Sequence, residues 1–210
     1  VTTIPEPAPA TTKVAAFDFD GTLVPGDSLR PFLLRLLGPP RLAAALAGAG
    51  PAMGLAYARG GRDAAKAALF RRTVAGLEGA RVDEAGRAFA AELAGKVRPD
   101  LAERVAWHRL AGHRLVLVSA SLTAYLEPLG DHLGLDDVIA TRLEVGPDGA
   151  LTGRLAGPNV RGAEKAARLR HLLGDGRAEI WAYGDSAGDR EMLEMADHPT
   201  RVGRAPLPPP

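Results

Sequence analysis

The run Val14-Ala15-Ala16-Phe17-Asp18-Phe19-Asp20-Gly21-Thr22-Leu23 puts two carboxylates two residues apart where an apolar strand gives way to a glycine. Successive strand side chains alternate faces, so Asp18 and Asp20 point to the same side and can share a magnesium ion and a phosphoryl group. The plain alternative is an Asp/Gly-rich turn closing a strand. What stands at the ends of the other strands decides between the two.

Outward from this run the chain alternates strand and helix patterns. Residues 13–17, 115–118, 138–141 and 178–183 read as strands of a parallel sheet buried on both faces, with a last one at 200–203. A helix opens at Pro99, carries Leu101, Val105 and His108 on one face and stops at Gly112. Ser121 is placed to cap the next helix, with Leu122, Leu126, Leu129 and Leu133 as its apolar positions. The expected fold is α/β, a doubly wound, mostly parallel sheet formed by 13–25 and 99–204. A helical cap domain is inserted at 26–98, where Ala67, Phe70, Val74 and Leu77 form one stripe and Ala85, Phe89, Leu93 and Val97 another. Residues 1–12 and the proline-rich 205–210 read as tails outside the fold, the first of them disordered.

The 210 residues, 46% hydrophobic, suffice for one good core and a smaller satellite. A net charge of +1 and 5% aromatics argue against nucleic acid as a partner. There is no cysteine to report a redox compartment. The longest apolar region, 42–57, is broken by Gly48, Gly50, Pro51 and Gly54, so no membrane span is expected. With no basic-then-apolar leader pattern, a cytoplasmic location is the expectation.

Three further signals stand at strand ends. Ser119 follows the second strand and, with Ala120 and Ser121, offers a hydroxyl and backbone N–H groups where a helix begins. Lys165 opens a helix bearing Ala166, Leu169, Leu172 and Leu173, and is one of only 4 lysines beside 22 arginines, which favours a need for a compact ammonium. The run Tyr183-Gly184-Asp185-Ser186-Ala187-Gly188-Asp189 puts two acids four residues apart after a close-approach glycine. Each alone has a bland reading, as helix cap, solvent-facing lysine or N-cap loop; their common placement at carboxyl ends of strands does not. From Gly26 to Arg104, 11 arginines and 2 lysines face 8 acids, a basic lid suited to an anionic substrate.

With these motifs in this order, the chain resembles the haloacid dehalogenase-like (HAD) superfamily hydrolases. The helices inserted between the first and second motifs resemble the cap of subfamily IB, the phosphoserine-phosphatase-like group. Residues 141–145, the Pro147-Asp148-Gly149 turn and 151–154 read as the hairpin such proteins carry before the lysine motif. The resemblance implies a magnesium-dependent phosphatase that hydrolyses a small phosphorylated metabolite through an aspartyl-phosphate. It casts Asp18 as nucleophile and Asp20 as general acid and base. Asp18, Asp20 through its backbone carbonyl, and Asp185 become the Mg2+ ligands, with Asp189 supporting the metal's water or Lys165. Ser119, Lys165 and the N–H groups of Gly21 and Ala120 would bind the phosphoryl oxygens. Asp27, Arg71 and Arg72 are the candidate specificity residues, the arginines for a carboxylate or second phosphate.

Gly21 stands where phosphoserine phosphatases usually have Ser, and Ser186 and Gly188 where they have Gly and Asn, so the substrate is left open. A dehalogenase needs no acid at position 20 and no metal. A phosphotransferase or mutase would keep every motif and differ in how well the lid excludes water. A receiver-type phospho-accepting domain would have its accepting Asp at a later strand, and here the second strand ends in Ser119. Oligomeric state is not legible.

Overall fold

The computed structural model describes residues 12–208. In chain order the elements are β1 (Thr12–Phe17), α1 (Leu29–Leu37), α2 (Pro39–Thr73), α3 (Gly79–Ala94), α4 (Pro99–Leu110), β2 (Arg114–Leu122), α5 (Thr123–Leu133), β3 (Asp137–Thr141), β4 (Leu143–Val145), β5 (Leu151–Leu155), α6 (Ala163–Leu173), β6 (Ala178–Gly184), α7 (Arg190–Glu194) and β7 (His198–Arg201). Five strands form one parallel sheet in the order β3-β2-β1-β6-β7, and β4 with β5 makes a separate antiparallel hairpin. This is the doubly wound α/β architecture read from the sequence. Among the described residues no helix is long and apolar enough to cross a membrane.

Strand alternation sorts the core. Ala15 and Phe17 of β1 face one side with Leu115, Leu117 and Tyr183, against α4, α5 and the helices that follow β1. Val14 and Ala16 face the other with Val116, Val118 and Ala182, against Leu169 of α6 and Met192 of α7. The first cluster runs on through Phe32, Phe70, Val82, Phe89 and Leu93, so α1–α3 share one apolar core with a face of the sheet. Gly86 of α3 lies against α5 so closely that a Cβ there would stand 1.9 Å from the Ala124 carbonyl oxygen. Within α2 the backbone leaves right-handed geometry once, at Gly61, where φ is +67°.

Several expectations are corrected. Ser121 caps no helix: β2 continues to Leu122, α5 starts at Thr123 without a side-chain cap, and the Ser121 hydroxyl turns inward to Asp20. The last strand lies two residues earlier than read, because His198 pairs with Trp181 at the sheet edge, where Pro199 needs no donor. Most of the expected N-terminal tail is outside the described residues, and its last member, Thr12, already pairs with Ala178. The C-terminal stretch docks on α4: Arg98 donates to the carbonyls of Gly203 and Ala205, Arg104 to that of Pro208, and Leu207 N–H reaches Asp100 at 2.8 Å. Proline-rich chain keeps its acceptors, and these arginines use them.

Under the sheet, His108 is fully buried between the Tyr183 hydroxyl (2.9 Å) and His113 Nδ1 (2.8 Å). Burial, then His113 and Arg104, pull its pKa down from 6.5 to about 3. The unfolded chain therefore takes the proton first, and the stability His108 contributes is complete above its ordinary pKa of 6.5 and drains away as pH falls toward about 3. From pH 7.5 to 5.5 this one group removes about 1.4 kcal/mol. Chemical denaturation at both pH values should show that loss in the parent and a smaller one in His108→Gln; equal losses would assign the acid sensitivity elsewhere.

Candidate active site

Three strand ends meet because of the sheet register. β1 pairs with β6 through Phe17 and Tyr183 and with β2 through Phe17 and Leu117. One residue beyond β1, Asp18 donates its N–H to the Tyr183 carbonyl at 2.9 Å, and Ser119 and Asp185 emerge to either side. This is the carboxyl edge of the sheet at the point where strand order reverses. Gly21 turns the chain at φ +85°, and a Cβ there would lie 2.3 Å from Asp185 Oδ2.

Lys165 of α6 is buried and binds two carboxylates, Oδ1 of Asp18 and, at 2.6 Å, Oδ1 of Asp189. The other oxygen of Asp189 accepts from Ser186 N–H (2.9 Å) and Oγ (2.8 Å). Burial pushes the Asp18 carboxyl up to about 7, with Lys165 opposing. For Lys165 burial works downward, yet Asp18 and Asp189 hold the ammonium above its usual range. Asp189 goes the other way: burial raises it, and Lys165 and Ser186 more than offset that.

Asp20 has its own network. Oδ1 accepts from Ser28 N–H (2.9 Å) and Oδ2 from Ser121 Oγ (2.5 Å), while the Ser28 hydroxyl meets Tyr125 Oη at 2.9 Å. Burial raises this carboxyl despite the two serines.

A cation would find hard oxygen donors here. Asp18, Asp185 and Asp189 offer carboxylate oxygens within 4.8 Å of one another. Among the described residues, Asp185 Oδ1 is buried with no hydrogen-bond partner. A buried carboxylate oxygen without a donor is costly, and a magnesium ion would satisfy it. Asp20 offers no carboxylate oxygen to this group, both being engaged by serines.

These groups line one cavity of about 670 Å³ that holds Asp18, Asp20, Gly21, Ser119, Ala120, Lys165, Asp185 and Asp189. Asp27 also lines it, with Oδ2 accepting from Arg30 N–H at 3.0 Å. Arg71 and Arg72 do not: both are exposed at the last turn of α2. At 100° per residue they lie about 140° and 120° to either side of the face that carries Lys66, so the helix turns them away.

Lys66 stands where the arginines were expected. Its ammonium donates to the Ala120 carbonyl (2.5 Å) and to Asn159 Oδ1 (2.9 Å); Asn159 in turn donates to Asp63 Oδ1 at 2.7 Å. No carboxylate lies within ion-pair distance of Lys66 among the described residues, and burial lowers its pKa to about 8. Reading the sequence missed Lys66, Asn159, Asp63 and Arg62, all on the cavity wall. The scarcity of lysine that singled out Lys165 applied equally to Lys66.

The sequence pattern of haloacid dehalogenase-like hydrolases matches residues 15–194. Protein CicA of Caulobacter vibrioides is 39% identical over 186 residues, 88% of this chain and 83% of that protein. Phosphoserine phosphatase SerB2 of Mycobacterium tuberculosis is 32% identical over 191 residues, 89% of this chain but 43% of that protein. Among solved structures, a Bordetella pertussis protein of unknown function superposes with a TM-score of 0.70 at 23% identity, covering 88% of this chain and 87% of that one.

Gly21 and Gly26 share a positive φ, +85° and +83°, but only Gly21 faces a neighbour. Gly26→Ala should therefore report backbone strain alone, about 1–2 kcal/mol. Gly21→Ala adds displacement of Asp185, and its melting temperature should fall several degrees further; coincident melts of the two variants would refute the close approach.

Proposed function

The chain belongs to the haloacid dehalogenase-like hydrolases, among the phosphoserine-phosphatase-like phosphatases, and from that premise we propose that it hydrolyses a small phosphomonoester with magnesium through an aspartyl-phosphate on Asp18. The observation that carries this reading is the buried Lys165 shared by Asp18 and Asp189, beside a partnerless oxygen of Asp185. A divalent cation would offset the negative charge that three carboxylates leave beyond the one ammonium, and so admit an anionic phosphoryl group.

In the forward step an Asp18 oxygen attacks phosphorus while the bond from phosphorus to the leaving oxygen breaks. Asp20, whose burial favours the protonated form, gives its proton to the departing alkoxide. In the second step Asp20 takes a proton from water, which attacks the aspartyl-phosphate and frees Asp18 and inorganic phosphate. Ser28 and Ser121 orient Asp20 for both tasks. Lys165, Ser119 and the Ala120 N–H hold the phosphoryl oxygens; the Gly21 N–H, expected beside them, instead donates to the Val24 carbonyl at 2.9 Å. Magnesium, when held by Asp18, Asp185 and the Asp20 carbonyl, supplies charge neutralisation at those oxygens. The helices α1–α3, the proposed cap 26–98, cover the leaving group. There Lys66 is a half-buried ammonium bound, among the described residues, only to neutral oxygens, and a polar or anionic group of the substrate would answer it.

With a panel of phosphorylated metabolites, parent turnover should need magnesium, vanish with chelator and return on re-addition. Asp18→Asn should lose at least about a thousandfold in kcat. Undiminished turnover in either case would sink the mechanism. Lys66→Met should raise KM about tenfold to a hundredfold with a smaller change in kcat, as for loss of a hydrogen bond from a charged donor, and Lys66→Arg should recover part of it. An unchanged KM would take Lys66 out of substrate binding.

A further inference from the structure

The cavity does not end at its charged groups. Met53 and Tyr57, on the half of α2 before Gly61, line the same cavity as Asp18 and Lys165. Leu42, Leu46, Met53 and Tyr57 fall within about 60° of one another at 100° per residue, so they form one apolar stripe. Leu42 is buried in the core, whereas Leu46 is 39% and Tyr57 60% exposed. The stripe therefore starts in the core, and Leu46 and Tyr57 on it are uncovered. Residues 42–58 carry no charge, and Arg41 and Arg59 bound them.

The cavity wall that α2 supplies has two chemistries. Lys66, beside Ala120, is charged, as are Arg62 and Asp63; Met53 and Tyr57, from the half before Gly61, and Leu69 are largely apolar. A Cβ at Gly48 would stand 4.0 Å from Arg72 Nη1, so α2 folds back at Gly61 and its two halves lie side by side. A phosphorylated amphiphile carries both chemistries, a charged head and a hydrocarbon chain. About 670 Å³ is in the range that encloses drug-sized ligands, more than a phosphoryl group and a short polar linker need.

We propose that the physiological substrate is a phosphomonoester bearing an alkyl or acyl chain, and that the chain lies on Met53 and Tyr57 and leaves along the exposed stripe of α2. This rests on the phosphatase reading and names its substrate class. The apolar rim would be covered by the substrate itself, which requires no second protein surface.

The test is kcat/KM of the full chain with magnesium on ethyl, butyl and octyl phosphate, the last below its micelle concentration. For a chain half withdrawn from water each methylene should bring about twofold, so octyl should exceed butyl roughly fifteenfold. The double variant Met53→Ser, Tyr57→Ser should hold that gain below about threefold, with Tyr57→Ser alone intermediate; Tyr57 is exposed, so this single change leaves the core intact. A flat profile in the parent overturns the proposal while leaving the phosphatase reading standing. So does a gain the variants retain, or one that rises with enzyme concentration, the mark of a second copy on the stripe. Absence of turnover on all three esters and on the metabolite panel removes the phosphatase reading and the proposal with it.

Discussion

The site depends on one buried ammonium. Lys165 reaches the carboxyl edge of the sheet from α6 and is held by Asp18 on one side and Asp189 on the other. Burying a lysine is costly unless its charge is met, and here two carboxylates meet it. With Asp185 alongside, the three acids still leave negative charge over and a carboxylate oxygen unsatisfied. The polypeptide alone does not balance this site. A divalent cation would offset the two negative charges that three carboxylates leave beyond one ammonium, and an anionic phosphoryl group can enter only once it is there.

The rest of the scaffold serves to bring these groups together from distant parts of the chain. Asp18 and Lys165 are 147 residues apart, and what unites them is the adjacency of β1 and β6 with α6 packed on the face of Val14 and Ala16. Two glycines allow the approach. A Cβ at Gly21 would strike Asp185, and one at Gly184 would stand 2.5 Å from the Cβ of Asp189. Both flank acids in the motifs, so here the glycines are spatial requirements.

How much of this was legible in the chain varied with the kind of signal. Asp18 and Asp185 lie one residue beyond β1 and β6, and strand ends are readable because apolar runs stop there; Ser119 and Lys165, read as strand-end signals too, sit inside β2 and in the first turn of α6. The parallel sheet followed from the same runs. Positions on the cap were not legible: a 35-residue helix with a break at Gly61 scrambles the phase by which Arg71 or Lys66 might be assigned to the inner face. Ser121 looked like a helix cap because local sequence cannot show that β2 runs on to Leu122. The C-terminal prolines looked like a tail because composition records their poverty in apolar burial, whereas Arg98 and Arg104 take up their carbonyls.

Gly86 has a mechanical consequence. Its backbone lies almost against that of Ala124, so α3 has no clearance to tilt or slide over α5. A rigid swing of α1–α3 away from the sheet would have to break this contact, along with Lys66 to Ala120 and Asn159 to Asp63. Bending α2 at Gly61 does not free the cap either: Leu42 is buried in the core, and a Cβ at Gly48 would stand 4.0 Å from Arg72 Nη1, so the half that carries Met53 and Tyr57 is held against its other half as well as joined to it. The cap is clamped at several points, and Lys66 stays in register with the reacting groups.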